Sequence, residues 1–296
     1  MYLGVLDHLF LVWLWLGWSG VVRSLAVRNV FTEGGIPFII HQTWKDSDVP
    51  FALMQYQMTW TRLHQTPPWE YRLWTDADLF AFVRENCPHQ VPTEYAHSIQ
   101  FVDAARYCIL YHVGGLFIDL DFEALRNIES LLLNETGGAG VASQLILTKE
   151  PASHATLFNT SFIVSNALMV AAPSHPLLLA VLDSLAPAQK WSTNTAQSDK
   201  GQVVMYTTGP LFLTHIVSLF ACDPAFPRHA MTSLQPVCER LHLPEGVVLL
   251  EDHILNPKAL FPGDSGGLDH SFERRSEDRN RGPLPYAQHH WHGTWW

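Results

Sequence analysis

The stretch that decides the fold is Ser98 to Asp121, SIQFVDAARYCILYHVGGLFIDLD. Its first part, Ser98 to Val113, has the periodicity of a helix, and Gly114-Gly115 is a typical helix stop. The apolar run Leu116-Phe-Ile-Asp-Leu120 follows at once and predicts a buried strand. A helix that leads directly into such a strand indicates an α/β unit.

The same alternation of strand and helix extends over the rest of the chain. The predicted strands are 37–41, 71–74, 161–170 and 247–250; the predicted helices are 50–65, 76–83, 176–185 and 203–220, the last with a turn at Gly209-Pro210. Asp76 is expected to cap the second of these helices. Strands that alternate with helices predict an open, mostly parallel α/β sheet with helices on both faces.

Two carboxylates stand at the end of the strand in the opening stretch. Successive strand residues point to opposite faces, so Phe117, Asp119 and Asp121 share one face, while Ile118 and Leu120 share the other. Open α/β sheets bind ligands at the carboxyl ends of their strands. Oxygen ligands suit Mn²⁺ or Mg²⁺ bridging to phosphate. We therefore predict that Asp119 and Asp121 bind a metal; the alternative is a solvated turn with two acids.

Two further charged residues, Asp103 and Arg106, lie on the apolar stripe of the preceding helix. They are three residues apart and could pair with each other. A charged pair on a packing face is costly unless its groups have partners. They either form a structural ion pair or face a bound sugar and diphosphate beside the metal, where Arg106 would offset the charge of the leaving group.

Other candidates stand at a second strand end and near the C-terminus. His41, Gln42, Thr43 and Trp44 follow the first strand, where a base or ribose could bind; a core position for Trp44 is the alternative. The tail HHWHGTWW, residues 289–296, offers three histidines and three tryptophans. The histidines, His290 and His292 above all, are candidate metal ligands, and the tryptophans could stack on a base or a sugar.

Charge and cysteine usage exclude several classes of protein. The net charge is −10 and the chain has no basic patch, so nucleic acid is not an expected partner. None of the four cysteines forms a C-x-x-C pair, which argues against a structural zinc site. Cys108 is expected to be a buried free thiol, and whether Cys222 and Cys238 form a disulfide stays open.

Six ordered blocks of the chain resemble a known family. It is the DxD-containing glycosyltransferase family of the fungal inositol-phosphoceramide mannosyltransferase and initiating α-1,6-mannosyltransferase type. The blocks are IPFIIHQTWKDSDVP (36–50), WEYRLWTDADL (69–79), FVDAARYCILYHVGGLFIDLDFEAL (101–125), SNALMVAAPSHPLL (165–178), TTGPLFLT (207–214) and HHWHGTWW (289–296).

The resemblance implies a GT-A fold, Mn²⁺ and a retaining transfer of a sugar, with GDP-mannose as donor and a lipid such as inositol phosphoceramide as acceptor. Asp119 and Asp121 would bind the metal and the diphosphate, and Asp103 and Arg106 the donor sugar. The family pattern also implies site roles for Asn166, near the sugar or acceptor, and for Trp295. Departures from the family pattern are Phe117 for Tyr, Ala167 for Asp or Asn, and Thr294 for Ser.

Three alternative functions remain beside this one. An α-1,6-mannosyltransferase would act on protein N-glycans instead of a lipid. A non-catalytic relative would only bind a partner or regulatory subunit, and the intact Asp119-x-Asp121 pair argues against it. A metal-dependent phosphoesterase should show D-x-H or H-D ligand motifs, which the sequence lacks.

The N-terminal residues 1–35 are expected to be a hydrophobic anchor or signal-like segment, and 36–296 the catalytic domain, with a mobile loop at about 262–285. The uncharged run Leu9 to Val22 is shorter than the ~20 residues that span a bilayer. A signal-anchor, a signal peptide and an interfacial helix all stay open. The resemblance implies a Golgi or endoplasmic reticulum membrane with a lumenal domain, whereas Arg23 and Arg28 after the run favour a cytosolic one.

Overall fold

A computed structural model describes residues 32, 35–134, 144–194, 199–222, 243–244, 246–254 and 285–292. Several sequence predictions lie outside these residues. They concern the segment before residue 32, nearly all of the loop at 262–285, Cys238 and Trp295.

The described residues form eight strands and eight α-helices, with one short 3-10 helix. The strands are β1 (Ile39–Thr43), β2 (Glu70–Trp74), β3 (Gly115–Ile118), β4 (Phe122–Ala124), β5 (Leu145–Lys149), β6 (Val164–Ala171), β7 (Val247–Leu250) and β8 (Ala287–His289). The helices are α1 (Phe51–Leu63), α2 (Asp76–Asn86), α3 (Ser98–His112), α4 (Glu129–Asn134), α5 (Ala152–Leu157), α6 (Pro176–Asn194), α7 (Lys200–Thr207) and α8 (Pro210–Cys222), and the 3-10 helix is Asp252–Ile254.

Six of the strands form one open sheet in the order β2-β1-β3-β6-β5-β7. Strand β1 pairs in parallel with β2 and β3, and β5 pairs in parallel with β7. Strand β6 is antiparallel to both of its neighbours, β3 and β5. The predicted open α/β sheet is therefore confirmed, with a mixed sheet in which parallel pairings predominate. Strands β4 and β8 form a separate antiparallel ribbon.

The alternating side chains of the sheet bury two separate cores. Phe117 points into the core built with α2, α3, α6 and α8, whereas Leu116 and Ile118 point into the core that contains Trp60 of α1 and part of α4. Helices on both faces were predicted, and this prediction is confirmed. Because apolar residues are needed on both sides of β3, its sequence is a continuous apolar run.

The structure corrects three local predictions. Thr75, not Asp76, caps α2, and its hydroxyl accepts from the amide of Asp78 in a capping box. Helix α6 continues past Pro187 to Asn194 instead of ending at Leu185. Strands β4, β5 and β8 were not predicted at all.

The expectation that Cys108 is a free thiol was wrong, because Cys108 forms a disulfide with Cys87. Cys87 caps the C-terminus of α2 and Cys108 lies in the middle of α3, so the bond ties these two helices together. Closing a loop of this length stabilises a fold by roughly 3 kcal/mol in the chain-entropy account. Whether Cys222 and Cys238 pair was left open by the sequence; Cys222 is disulfide-bonded, and Cys238 lies outside the described part of the chain.

Among the described residues, one helical stretch, Lys200–Cys222, is apolar enough by composition to cross a bilayer. Most of it is buried within the protein. The stretch is also divided at Gly209, between α7 and α8. Its apolar character is explained by packing in the core, where Phe212, Leu213 and Val217 are fully buried.

Replacing Gly115 with alanine should destabilise the fold by about 3 kcal/mol. Gly115 has a φ of 100°, and an added Cβ would lie 2.7 Å from the carbonyl oxygen of Ile39 in β1. The substitution combines a left-handed backbone with a clash between strands, which together cost on the order of 3 kcal/mol. Thermal unfolding would measure the loss.

Gly35→Ala is a matched control, because Gly35 has a φ of 79° but its added Cβ would approach only Ala172, at 4.0 Å. This variant should lose only the stability that the left-handed backbone costs, about 1 kcal/mol. Equal losses in the two variants would show that the close approach of β3 to β1 carries no cost.

Candidate active site

Asp119 and Asp121 lie in the turn that follows β3, not on the strand itself. Strand β3 ends at Ile118, and the amide of Phe122 donates to the carbonyl oxygen of Asp119 at 3.2 Å. The predicted alternation of side chains between the two faces still holds for Asp119 and Leu120. Leu120 packs with Leu53 of α1 and with Val49 just before that helix, and Asp119 points to the opposite side, toward α3.

Arg106 joins helix α3 to this turn. Its guanidinium lies 3.2 Å from Asp119 Oδ1 and 3.1 Å from Asp103 Oδ1, and it stacks over the Phe117 ring at 4.9 Å. The Arg106 side chain is only 3% exposed, whereas that of Asp119 is 32% exposed. The buried cation therefore holds the inner side of a carboxylate whose outer side remains accessible.

Asp103 has three polar partners. It accepts from Asn166 Nδ2 at 3.0 Å and from the hydroxyl of Thr208 at 3.0 Å, besides its ion pair with Arg106. Arg106 also donates to the carbonyl oxygen of Asn166 at 2.6 Å. Four residues singled out from the sequence, Asp103, Arg106, Asp119 and Asn166, thus meet in one network.

The pKa values of the two acids diverge. Burial raises the pKa of Asp119 to about 6, with Asp121 adding to the rise and Arg106 opposing it. Burial also acts to raise the pKa of Asp121, but a hydrogen bond to His289 and the amide of His292 bring this pKa below its usual value. Repulsion by the Asp121 carboxylate thus contributes to the raised pKa of Asp119, whereas contacts with the tail lower the pKa of Asp121.

The C-terminal tail reaches this turn through the β4–β8 ribbon. Phe122 pairs with His289 across the ribbon, and the two rings stack 4.1 Å apart. This pairing places His289 Nε2 3.1 Å from Asp121 Oδ1. The amide of His292 also donates to Asp121 Oδ2 at 3.0 Å. Both carboxylate oxygens of Asp121 therefore contact the tail.

The rings of His290 and His292 have other partners. His290 Nε2 lies 3.0 Å from Glu123 Oε2, and the His290 ring stacks on Tyr56 of α1 at 4.2 Å. His292 Nε2 lies 3.2 Å from the Tyr56 hydroxyl. Their assignment as metal ligands stays a prediction, and the geometry favours His289 in that role.

The polar residues at the end of β1 lie under the acidic turn. Gln42 is fully buried; its Nε2 donates to the carbonyl oxygen of Asp119 at 3.3 Å, and its Oε1 accepts from Tyr71 at 2.9 Å. Thr43 is half-buried and pairs with Trp74 in the neighbouring strand. Gln42 therefore supports the backbone of the turn, while the predicted contact of Gln42 and Thr43 with a donor stays untested.

Buried His41 should make the protein sensitive to acid. Trp74 Nε1 can only donate, so His41 Nδ1 accepts from it at 3.0 Å and Nε2 donates to the carbonyl oxygen of Gly114 at 2.8 Å. Burial lowers the His41 pKa from 6.5 to about 4. The unfolded chain then binds a proton below pH 6.5 that the folded protein does not, so stability falls between pH 6.5 and 4, by about 3 kcal/mol in all.

Urea unfolding of the wild type and of His41→Gln between pH 6.5 and 5 measures this effect. The free energy of unfolding should depend less steeply on pH in the variant, because unfolding of the variant takes up about one proton fewer. Identical pH slopes would mean that His41 is not the group responsible.

Sequence reasoning missed the contributions of Tyr56 and Glu123 to the site. Both act through the tail, and their contacts depend on how α1 and the β4–β8 ribbon pack. Tyr56 carries no local signal, because it is one aromatic residue in an amphipathic helix. Glu123 follows two recognised acids in the sequence but points at His290 instead of joining them.

The donor atoms at this turn fit a divalent cation. They are carboxylate oxygens of Asp119 and Asp121 and, next to them, an imidazole nitrogen of His289. Mixed oxygen and nitrogen donors suit Mn²⁺, and oxygen donors alone suit Mg²⁺. Arg106 pairs with both Asp103 and Asp119, so these acids and Asp121 leave negative charge for a metal to offset.

The chain is similar to curated fungal proteins. It is 30% identical over 202 residues to inositol phosphoceramide mannosyltransferase 1 of Schizosaccharomyces pombe, covering 67% of this chain and 56% of the relative. It is 33% identical over 210 residues to mannosyl phosphorylinositol ceramide synthase SUR1 of Saccharomyces cerevisiae, covering 70% and 48%. The chain thus spans about half the length of these relatives.

A solved structure with a related shape is mouse xyloside xylosyltransferase 1 in its apo form. It has 12% sequence identity and a TM-score of 0.43 over 86% of this chain and 98% of that one.

The family of glycosyltransferases with a sugar-binding region containing a DXD motif matches residues 50–137. This range includes Asp103, Arg106, Asp119 and Asp121, four of the residues that the structure brings to one turn. Through this region the chain is similar to the DXD-containing glycosyltransferases.

Proposed function

We propose that this protein is a metal-dependent glycosyltransferase that moves mannose from GDP-mannose to an inositol-phosphoceramide-like lipid, with retention at the anomeric carbon. The observation that carries the proposal is the meeting of Asp119, Asp121 and His289 at one turn. An apolar strand end has no structural need for two acids, and the tail residue that completes the group comes from the far end of the described chain.

Each side chain of the group has a defined role in the proposed reaction. Asp119, Asp121 and His289 would hold Mn²⁺ or Mg²⁺, which as a Lewis acid offsets the charge on the leaving diphosphate. Arg106 keeps Asp119 ionised and oriented from the buried side. Asp103 and Asn166 in turn fix Arg106, so the acid that meets the substrate is already positioned before binding.

GDP-mannose as the donor rests on the resemblance of the six sequence blocks, and the acceptor assignment is drawn from the two relatives. Both are named for inositol phosphoceramide or its mannosylated form. The site itself is compatible with any nucleotide-sugar diphosphate, since a metal and two acids recognise the diphosphate and not the base. Mannose transfer to a protein N-glycan is the alternative for the acceptor, and a binding-only role with a partner subunit is the alternative of another class.

The proposed location is the lumen of the Golgi or endoplasmic reticulum, with membrane association through the N-terminal segment. The Cys87–Cys108 disulfide supports this location, because disulfides persist in oxidising compartments and are rare in the cytosol. It also weighs against the cytosolic orientation that Arg23 and Arg28 favour.

The deciding assay offers GDP-mannose and Mn²⁺ to the purified protein with either inositol phosphoceramide in detergent or an N-glycan. Mannose should appear on the lipid, and chelation of the metal should stop the transfer. Mannose on the glycan alone would overturn the lipid assignment. If neither acceptor is modified and no nucleotide-sugar is hydrolysed, the binding-only alternative is favoured.

A further inference from the structure

A shallow cleft that is open to solvent lies beside the acidic turn. His289 belongs to both sites, because its Nε2 contacts Asp121 while its ring lines the cleft. The other walls come from β5, the loop after β5, the start of β6, the 3-10 helix and the tail. The lining residues that matter here are Thr148, Glu150, Ser165, Asp252, His289 and Trp291.

Trp291 is held over this cleft in an unusual backbone conformation. Its φ is 52°, a left-handed value that is rare for a bulky residue and costs on the order of 1–3 kcal/mol. Trp291 as a whole nevertheless stays 41% exposed. The ring lies 3.7 Å from that of His289 and 4.8 Å from that of His154. A strained backbone that presents an exposed indole at a cleft indicates a ring prepared for a ligand.

The polar wall of the cleft offers hydrogen-bond acceptors. The Glu150 side chain is largely buried and pairs with His154 Nδ1 at 2.7 Å, and Asp252 supplies a second carboxylate. The buried hydroxyls of Thr148 and Ser165 add groups that both donate and accept.

The charge of this wall disfavours a phosphate. The one lysine of the lining, Lys149, pairs with Glu251 at 2.6 Å, so its charge is already compensated. Two carboxylates repel an anion but accept hydrogen bonds from neutral hydroxyls. The cleft is therefore suited to a polyol and not to the diphosphate of the donor.

We infer that a six-membered polyhydroxy ring of the acceptor lies over the open mouth of this cleft, with its apolar face on the Trp291 indole and its hydroxyls toward Glu150 and Asp252. The inference rests on the proposed function and adds the place where the acceptor ring lies. Because His289 is common to both sites, a ring bound in the cleft lies next to the proposed metal site. The inositol ring of a lipid headgroup and the mannose ring of a glycan share this chemistry.

Steady-state kinetics of Trp291→Ala, Trp291→Phe and Asp252→Asn test the inference. In Trp291→Ala the KM for the acceptor should rise about tenfold, because one aromatic contact is lost. The KM for GDP-mannose should rise less. Phenylalanine should restore part of the loss. Phe80→Ala, which removes an exposed aromatic ring on α2, should behave as the wild type.

Asp252→Asn keeps the indole and should also raise the acceptor KM. Unchanged acceptor KM values, or losses shared equally between donor and acceptor, would overturn the inference. Parallel assays with inositol phosphoceramide and with a mannose-terminated glycan show which source of the ring is used.

Binding measured without turnover separates this inference from the proposed function. Saturation-transfer NMR with myo-inositol and with methyl α-mannoside should detect at least one of them on the wild type and much less on Trp291→Ala. Such binding by a protein that hydrolyses no nucleotide-sugar would leave the cleft assignment standing and remove the transferase. If neither compound binds, the assignment of the cleft is wrong and the proposed transferase function is unaffected.

Discussion

Replacing Asp121 with asparagine should reduce the rate of sugar transfer by at least about a hundredfold and leave the fold intact. Asparagine has nearly the shape of aspartate and can still accept from the His292 amide, but it loses the charge. Loss of one electrostatic contact at a transition state typically costs about 3–4 kcal/mol, or a factor of 10² to 10³. Single-turnover transfer with saturating donor would measure the effect.

The matched control for this variant is Asp46→Asn. Asp46 is an exposed acid whose Oδ1 accepts from the amide of Asp48, a contact that asparagine also makes. It should transfer at the wild-type rate. The metal assignment would be wrong if Asp121→Asn also transferred at that rate with an unaltered dependence on Mn²⁺.

Replacing Arg106 with methionine should destabilise the protein by about 3–5 kcal/mol, the usual cost of leaving a buried charge without its partner. Asp103 would be left deep in the structure with hydrogen bonds only, and Asp119 would lose its inner contact. Urea unfolding would give the loss of stability. For a protein of this size the melting temperature should fall by roughly 10 °C.

The double variant Arg106→Met/Asp103→Asn identifies the origin of this loss. Removing the uncompensated charge at Asp103 should return part of the lost stability, so the two substitutions should not be additive. Additive losses would mean that Arg106 stabilises the fold by packing over Phe117 and not through its ion pairs.

The acidic turn and its buried support could be predicted from the sequence because both break a local rule. Asp119 and Asp121 interrupt an apolar strand, and Asp103 and Arg106 interrupt an apolar helical stripe. Neither pattern distinguished a structural ion pair from a substrate contact. The structure adds that Arg106 is buried and already paired, so its proposed role is to position Asp119.

Several parts of the fold that were missed lack a local signal, although β5, with the sequence LILTK, has one. Strands β4 and β8 have three residues each, too few to show a period, and they form only because one pairs with the other. Pro187 normally ends a helix, but burial of Leu185 and Ala188 on either side of it keeps α6 continuous. The Cys87–Cys108 disulfide follows from the packing of α2 on α3, which the spacing of the cysteines does not encode.

The β4–β8 ribbon has a consequence for how the protein is made. Asp121 and His292 are 171 positions apart, and at 5–20 residues per second the ribosome needs roughly 10 to 30 seconds to add that length. Among the described residues, no strand after β7 joins the large sheet, so a nascent chain can fold these strands while the acidic turn still lacks His289. The described scaffold would then form first, and the proposed metal-binding group would be complete only when the tail docks, so the proposed activity would be the last property to appear.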